Sequence, residues 1–389
     1  MTFRELTERA EQYIIEIVAG RCRTRGDRGV RALLFLLSRL YRSVIQLRIH
    51  LYENRVLRQR MLGCLVVSIG NLTVGGTGKT PVVEVFAKTL AARGRRVAVL
   101  SRGYRSKSRP FRRKLRDLLF RKNHEIPPKI VSDGKRLLLN SKSAGDEPFM
   151  LASNLKDVMV LVDKDRVKAG KHAIQHMQAD TLVLDDGFQY LKLKPRTNIL
   201  LVDSTLPFAN HHLLPRGLLR EPIRNLRRAD YIFLTKSEGA SRLRHLKRFI
   251  RSHNSRAEII ECTHQAKHLE DVYTEERFAL SELRGRQVAA ISGIAVPESF
   301  EKFLGTLGAE VVYAERFMDH HSYRQQEIID FLNAAAAAEA EMIVTTEKDA
   351  VRFPKLDRRD VPIRFLRVEI DILSGEESFN ECIARLCFQ

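Results

Sequence analysis

Tryptophan is absent from the 389 residues, and the five cysteines are scattered: Cys22, Cys64, Cys262, Cys382 and Cys387. Their number is odd and no pair has metal-ligand spacing, so the expectation is a reduced, cytosolic chain with packed thiols. A secretory leader is not expected either. The N-terminal stretch has no apolar core of the needed length and carries Arg4, Glu5, Glu8, Arg9, Glu11 and Glu16. Long uncharged apolar runs are also missing. The most apolar segment, Val30–Leu51, is interrupted by Arg31, Arg39, Arg42 and Arg48, which argues against a membrane-spanning helix. Acidic residues are in the minority, 47 against 67 Lys and Arg, for a formal net charge of +20. Such a field attracts nucleic acid, anionic membrane or acidic small substrates without choosing among them. With no Trp and with Tyr and Phe dispersed, the stacking platforms of a nucleic-acid-dependent NTPase are not evident, so no nucleic acid is expected as a partner.

What is present organises around Cys64–Thr80, CLVVSIGNLTVGGTGKT. A short apolar run, Cys64–Ile69, reads as a buried strand. It breaks into a loop with Gly70, Gly75, Gly76 and Gly78 and ends in Gly78-Lys79-Thr80. A helical pattern follows, with Val82, Val83, Val85, Phe86 and Leu90 on one face and Gly94 as a stop. Strand, glycine loop, Gly-Lys-Thr and helix together form a phosphate-binding loop. Glycines let backbone N–H groups curl around phosphate oxygens, and the helix N-terminus adds its positive dipole end. Lys79 is expected from this pattern to reach the β/γ-phosphates of a nucleotide and the Thr80 hydroxyl to hold Mg²⁺, with Gly75, Gly76, Thr77 and Gly78 lining the loop. The strict pattern wants Gly six positions before the lysine, where this chain has Thr73.

Downstream, Thr181–Leu184 runs into Asp185-Asp186-Gly187, the arrangement that puts carboxylate at a strand end where Mg²⁺ sits. Paired Asp residues at a strand end also serve as turn formers. Between Asp203 and Tyr231 lies a long aperiodic loop, expected to be functional. Strands and helices alternate to the C-terminus, so the fold class is α/β: a P-loop NTPase-like, mainly parallel sheet flanked by helices, with a second, smaller α/β lobe. The expected organisation is an N-terminal extension with an amphipathic helix (1–62), a kinase domain (63–235) and a C-terminal lobe (236–389). In the N-terminal helix, Leu33, Leu36, Leu37, Leu40, Val44 and Leu47 form a stripe. It fits either a membrane interface, with snorkelling arginines, or packing on the protein's own core. A basic stretch, Arg105–Lys122, is read either as a second element touching an anionic surface or as a solvated loop.

Taken together, Gly70-Asn71-Leu72-Thr73, Gly75–Pro81, Ser101-Arg102-Gly103-Tyr104, Gly145-Asp146-Glu147-Pro148, Asp185–Gln189, Leu219-Arg220-Glu221-Pro222, Asp319-His320 and Thr346-Glu347-Lys348-Asp349 resemble the tetraacyldisaccharide 4′-kinase family of Gram-negative bacteria. In that family Thr73 in place of Gly is usual. The resemblance implies transfer of the ATP γ-phosphoryl group to the 4′-hydroxyl of a tetraacylated glucosamine disaccharide 1-phosphate, a lipid A precursor. It also implies a monotopic protein on the cytoplasmic face of the inner membrane, with an anionic membrane surface as partner and no obligate protein partner. By the same resemblance Asp146 is the base, paired with His320 (His321 being the alternative). Asp185, Asp186 and Glu221 are the metal- and phosphate-side acids: Thr80, Asp185 and Glu221 for metal, Asp186 and Lys79 for catalysis, with Arg220 accompanying them. The rival readings are a soluble P-loop kinase of another small-molecule hydroxyl and a non-catalytic membrane module.

Overall fold

A reciprocal cap starts the first long helix, α1 (Arg25–Glu53): the Asp27 amide donates to Thr24 Oγ1 at 3.2 Å and the Thr24 amide to Asp27 Oδ2 at 2.8 Å. The computed structural model describes residues 13, 16–18, 24–103, 127–237, 240–319, 321–356 and 361–387. The basic stretch 105–122 and His320 therefore lie outside the described residues.

After α1 come β1 (Leu65–Asn71), α2 (Lys79–Ala92) and β2 (Val97–Ser101). Gly94 closes α2 with φ 84°, a left-handed position that suits glycine. Next are β3 (Lys129–Asp133), α3 (Ser141–Ala144), α4 (Asp146–Asn154), β4 (Met159–Val162), α5 (Arg166–Met177) and β5 (Thr181–Asp185). They are followed by β6 (Thr197–Asp203), a 3₁₀ turn (Ile223–Arg228), β7 (Tyr231–Thr235), α6 (Ala240–His253) and β8 (Glu258–Asp271). The remainder comprises β9 (Arg277–Phe278), β10 (Gln287–Ser292), α7 (Pro297–Thr306), β11 (Glu310–Arg316), α8 (Gln325–Ala337), β12 (Met342–Thr346), α9 (Glu347–Ala350), β13 (Ile363–Ser374) and α10 (Glu376–Cys387).

The chain forms two compact units, each assembled from separate stretches. The first takes Met1–Lys79, Asp186–Thr263 and Ile372–Cys382; the second takes Thr80–Asp185, His264–Asp371 and Ile383–Gln389.

In the first unit β1, β6, β7 and the start of β8 pair in that order, all parallel. Parallel strands buried on both faces read as continuous apolar runs, which is why β1, β6 and β7 were visible in the sequence. Leu200, Val202, Ile232 and Leu234 pack with Leu243, Leu246 and Ile250 of α6 and with Phe188, Phe208 and Leu219 from the loops. Helix α1 belongs to this unit and turns one side to it: Leu34, Ser38 and Ile49 are buried, and the Tyr41 hydroxyl donates to the Arg220 carbonyl at 3.0 Å. The apolar stripe lies outside that contact. Leu33, Leu36, Leu37, Leu40, Val44 and Leu47 are all exposed, Leu36 and Leu40 by 64% each. Of the two readings of this helix, packing of the stripe on the protein's own core does not occur. No helix among the described residues is long and apolar enough to cross a membrane.

In the second unit β2 lies between β5 and β4, both parallel to it, and β3 adds antiparallel to β4. A further parallel set runs β11, β10, β12, β13. Around it, Ile328, Phe331 and Leu332 of α8 bury against Ala289, Ile291 and Ile343, and Phe300 and Leu304 of α7 against Val288, Ala290 and Val344. Strands β3, β8 and β13 were not anticipated from the sequence.

Candidate active site

In the first unit the phosphate loop is built by side chains that hold its backbone. Asn71, at the end of β1, donates from Nδ2 to the Thr73 carbonyl at 2.8 Å and to Thr77 Oγ1 at 3.0 Å. The Thr77 carbonyl in turn accepts from Thr235 Oγ1 at 2.9 Å. Lys236 reaches the Gly76 carbonyl at 3.1 Å while paired with Asp203 at 2.6 Å. Thr73 forms an antiparallel bridge with Leu219, an extended conformation in which a Cβ is tolerated. Positive φ begins only at Gly75 (118°) and recurs at Gly78 (73°), so glycine at position 73 is not needed.

The segment that starts at Asp186 is locked beside this loop's root. The Gly187 amide donates to the Ile69 carbonyl at 2.9 Å. A Cβ on Gly70 would come within 2.7 Å of Phe188 Cβ, so only glycine permits the approach. Asp186 then meets two cations: Arg220 Nη1 at 2.7 and 2.8 Å, and Lys79 Nζ at 3.8 Å. Lys79 also donates to Asn71 Oδ1 at 3.4 Å. Arg220 is held by its backbone, whose amide donates to the Leu72 carbonyl at 2.7 Å. The long loop after β6 thus returns to β1 and delivers Arg220 to Asp186.

Glu221, beside it, is buried and its Oε2 accepts from Asn225 Nδ2 at 2.7 Å and Arg228 Nη2 at 2.5 Å. Arg228 lies over the Phe188 ring, 4.1 Å from its centroid. Burial pulls the Arg228 guanidinium down from its ordinary range, with Glu221 opposing.

In the second unit Asp185 is buried and accepts from Ser101 Oγ at 2.9 Å; this serine begins the Ser-Arg-Gly motif. Thr80 stands in the first turn of α2. Asp146 opens α4, with Gly145 before it at φ 98°. Its Oδ2 accepts from Arg352 Nε at 2.7 Å, across 206 residues of chain. Asp319 and Glu147 share Lys348, at 3.3 and 3.6 Å, so the segment preceding His320 is tied to the residue next to Asp146. His321 is engaged elsewhere: its Nε2 is 3.0 Å from Glu327 Oε2 and its ring stacks on Phe317 at 4.6 Å.

Sequence reasoning missed two features here. Arg352 is one. The other is a buried cluster in which Arg367 is hydrogen-bonded to Glu347 at 2.7 and 2.8 Å and to Glu84 of α2. Asn154 of α4 joins Glu84, at 2.9 Å, to Glu347. Burial pushes the Glu347 carboxyl up; Arg367 pulls against this and Glu84 adds to the rise. A glutamate on the apolar face of α2 and the spacing Asp349-x-x-Arg352 after Thr346-Glu347-Lys348 were the available signals.

At Gly75 and Gly76 an added Cβ would meet no atom within 4 Å, so these two positions face open space. Among the described residues no three His, Cys, Asp or Glu side chains gather as a metal-binding group. The donors implied for a cation are a hydroxyl and a carboxylate, oxygen ligands that suit Mg²⁺ completed by phosphate and water. The residues therefore fit Mg²⁺ carried on a nucleotide better than a metal caged by protein alone.

Comparison with known proteins identifies the family. The model of the family described as "Tetraacyldisaccharide-1-P 4'-kinase" matches residues 30–387. A tetraacyldisaccharide 4'-kinase of Anaeromyxobacter dehalogenans is 41% identical over 359 residues, covering 90% of this chain and 89% of that protein. One from Syntrophus aciditrophicus is 37% identical over 375 residues, covering 93% and 95%. Among solved structures, that of LpxK from Aquifex aeolicus, crystallised with ATP, is similar with a TM-score of 0.71 and 29% identity over 92% of this chain and 100% of that one. With the family model spanning the phosphate loop, the Asp185-Asp186 strand end, Asp146 and the Thr346–Asp349 turn, the chain belongs to the tetraacyldisaccharide-1-P 4'-kinase family.

Proposed function

We propose that this chain transfers the γ-phosphoryl group of ATP to the 4′-hydroxyl of a tetraacylated glucosamine disaccharide 1-phosphate, working at the cytoplasmic face of the bacterial inner membrane as a peripheral, monotopic enzyme. The observation that carries the reaction is the phosphate loop, whose lysine sits between Asn71 and Asp186 and whose Gly75 and Gly76 face open space. A sugar hydroxyl is a weak nucleophile and the phosphoryl group is heavily charged. The work therefore divides into removal of a proton and neutralisation of charge.

Asp146 is the base, with His320 as its partner; the engagement of His321 with Glu327 and Phe317 supports that choice. Lys79 and Arg220 face the phosphates, and Asp186 orients both cations. Thr80 and Asp185 would hold Mg²⁺, which when bound supplies charge neutralisation at the β- and γ-phosphates. Glu221 is the third acid proposed for the metal side; its Oε2 accepts from Arg228 and Asn225, contacts that also fix the segment carrying Arg220.

The exposed stripe of α1 supports the lipid acceptor over a soluble one, since a soluble kinase leaves that apolar face without a use. The test is transfer of labelled γ-phosphate from ATP to a lipid A disaccharide acceptor in mixed micelles, with Mg²⁺ and with EDTA. Label should reach the lipid only with Mg²⁺, and Lys79→Ala should lower kcat on the order of 10²–10³-fold. Transfer to soluble sugars but not to the lipid would overturn the acceptor; undiminished Lys79→Ala activity would overturn the loop's role.

A further inference from the structure

We propose that Arg352 is a positioning residue for the phosphoryl-transfer reaction: it clamps Asp146 to a fixed anchor, Asp349, and so aims the carboxylate that accepts the hydroxyl proton. The inference rests on Asp146 being the base, as proposed above.

The geometry has three parts. The first is the anchor. Asp349 is fully buried, in the short helix α9 that follows β12. It accepts from the Tyr323 hydroxyl at 3.0 Å, from the Gly293 amide at 3.1 Å and from Thr346 Oγ1 at 2.6 Å. Those donors come from three separate chain segments, so the carboxylate has little freedom to move. Burial, then the charge of Asp349, pushes the Tyr323 phenol well above its ordinary value and keeps it a donor.

The second part is the clamp. The Arg352 side chain is only 5% exposed, and two of its N–H groups serve two carboxylates: Nη1 to Asp349 Oδ1 at 3.1 Å and Nε to Asp146 Oδ2 at 2.7 Å. A guanidinium is planar and its donors point in fixed directions, so pinning one fixes the other. The third part is what is held. Asp146 is 24% exposed, the most accessible member of the chain of contacts. It begins α4, directly after Gly145. A base must meet the reacting hydroxyl in one direction, and misplacement of about 1 Å costs on the order of 10²-fold in rate.

A merely structural arginine would also matter for folding, so the test needs readouts that folding does not move. Arg352→Gln, Arg352→Lys, Asp146→Asn and the double variant Asp146→Asn/Arg352→Gln are compared for kcat, for KM of ATP and of the lipid acceptor, and for thermal unfolding. Arg352→Gln is expected to lower kcat by roughly ten- to a hundredfold with the KM for ATP unchanged. Arg352→Lys should recover part of the loss, since the charge remains while the two-directional reach does not. In the Asp146→Asn background, removing Arg352 should cost almost nothing more, because the group it aims is already gone.

Wild-type kcat in Arg352→Gln, or losses that multiply fully in the double variant, would overturn the inference while leaving Asp146 as the base. Wild-type kcat in Asp146→Asn would instead overturn the base assignment itself. If Arg352→Gln does not fold, Tyr323→Phe loosens the anchor by one hydrogen bond. It should lower kcat measurably in the wild-type background and not in the Asp146→Asn background; equal effects in both would sink the clamp.

Discussion

Two clusters of arginine and carboxylate in this molecule have opposite charge balance. At Asp186 two cations, Lys79 and Arg220, meet one carboxylate that is 28% exposed. At Arg367 one cation meets the buried carboxylate of Glu84 and the largely buried one of Glu347, with the more exposed Glu369 at 3.6 Å. The first has positive charge in excess beside an open glycine loop, so an anion can join it and improve the balance. The second has negative charge in excess and burial that pushes Glu347 toward its neutral form. Nothing anionic gains by joining it, and desolvated charges of this kind cost much when a partner is removed. The excess of one sign, together with solvent access, separates a binding cluster from a structural one more clearly than the presence of arginine does.

The sharpest way to break that comparison is to remove the cation from each. Arg367→Met should lower unfolding stability by about 3–5 kcal/mol, because Glu84 and Glu347 are left facing each other in a buried space. Lys79→Ala should leave the unfolding temperature close to wild type while activity collapses. Equal destabilisation by both variants in a denaturant titration would erase the distinction.

A second comparison is between the two faces of α1. The face holding Leu34, Ser38 and Ile49 is packed, whereas the stripe of Leu36, Leu40, Val44 and Leu47 is exposed. Burial of one large aliphatic side chain is worth about 1.5–3 kcal/mol, so changing these four to Ser together should abolish pelleting with anionic vesicles. Thermal stability should barely change, since all four side chains are exposed. Retained pelleting would move the membrane-binding surface elsewhere in the chain.

How much was legible follows from what each element buries. The strands β1, β2, β5 and β7 are nearly all apolar and read directly. By contrast β8 and β13 carry charged residues along their length, among them Glu261, Arg364 and Arg367, which are buried because they are paired. Local periodicity cannot show a pair formed across the chain. The same holds at the site. The phosphate loop and the Asp185-Asp186 strand end are contiguous motifs and were visible, as was the lone Asp146. The partners of Asp146 and Glu84 lie 206 and 283 residues away, so Arg352 and Arg367 were not.

The smallest expected effect concerns proton uptake in the buried cluster, where burial and Arg367 pull the Glu347 carboxyl in opposite directions. Burial is the larger influence, so the carboxyl is held above its ordinary value of 4.5. A group whose value is raised by folding binds more protons in the folded chain than in the unfolded one. Its contribution to stability is therefore fully present below pH 4.5 and is lost as the pH climbs through the raised, folded value. Glu347→Gln resembles the protonated form and cannot release the proton. The difference in unfolding free energy between variant and wild type should then shift in the variant's favour as pH rises from about 4 toward about 8, by roughly 1.4 kcal/mol for each unit by which folding raises the value. Because all other titrating groups are shared, the difference isolates this one. Chemical denaturation of both proteins across that range measures it. A shift in the wild type's favour over the same range would mean that Arg367 outweighs burial, and that the cluster holds two full negative charges after all.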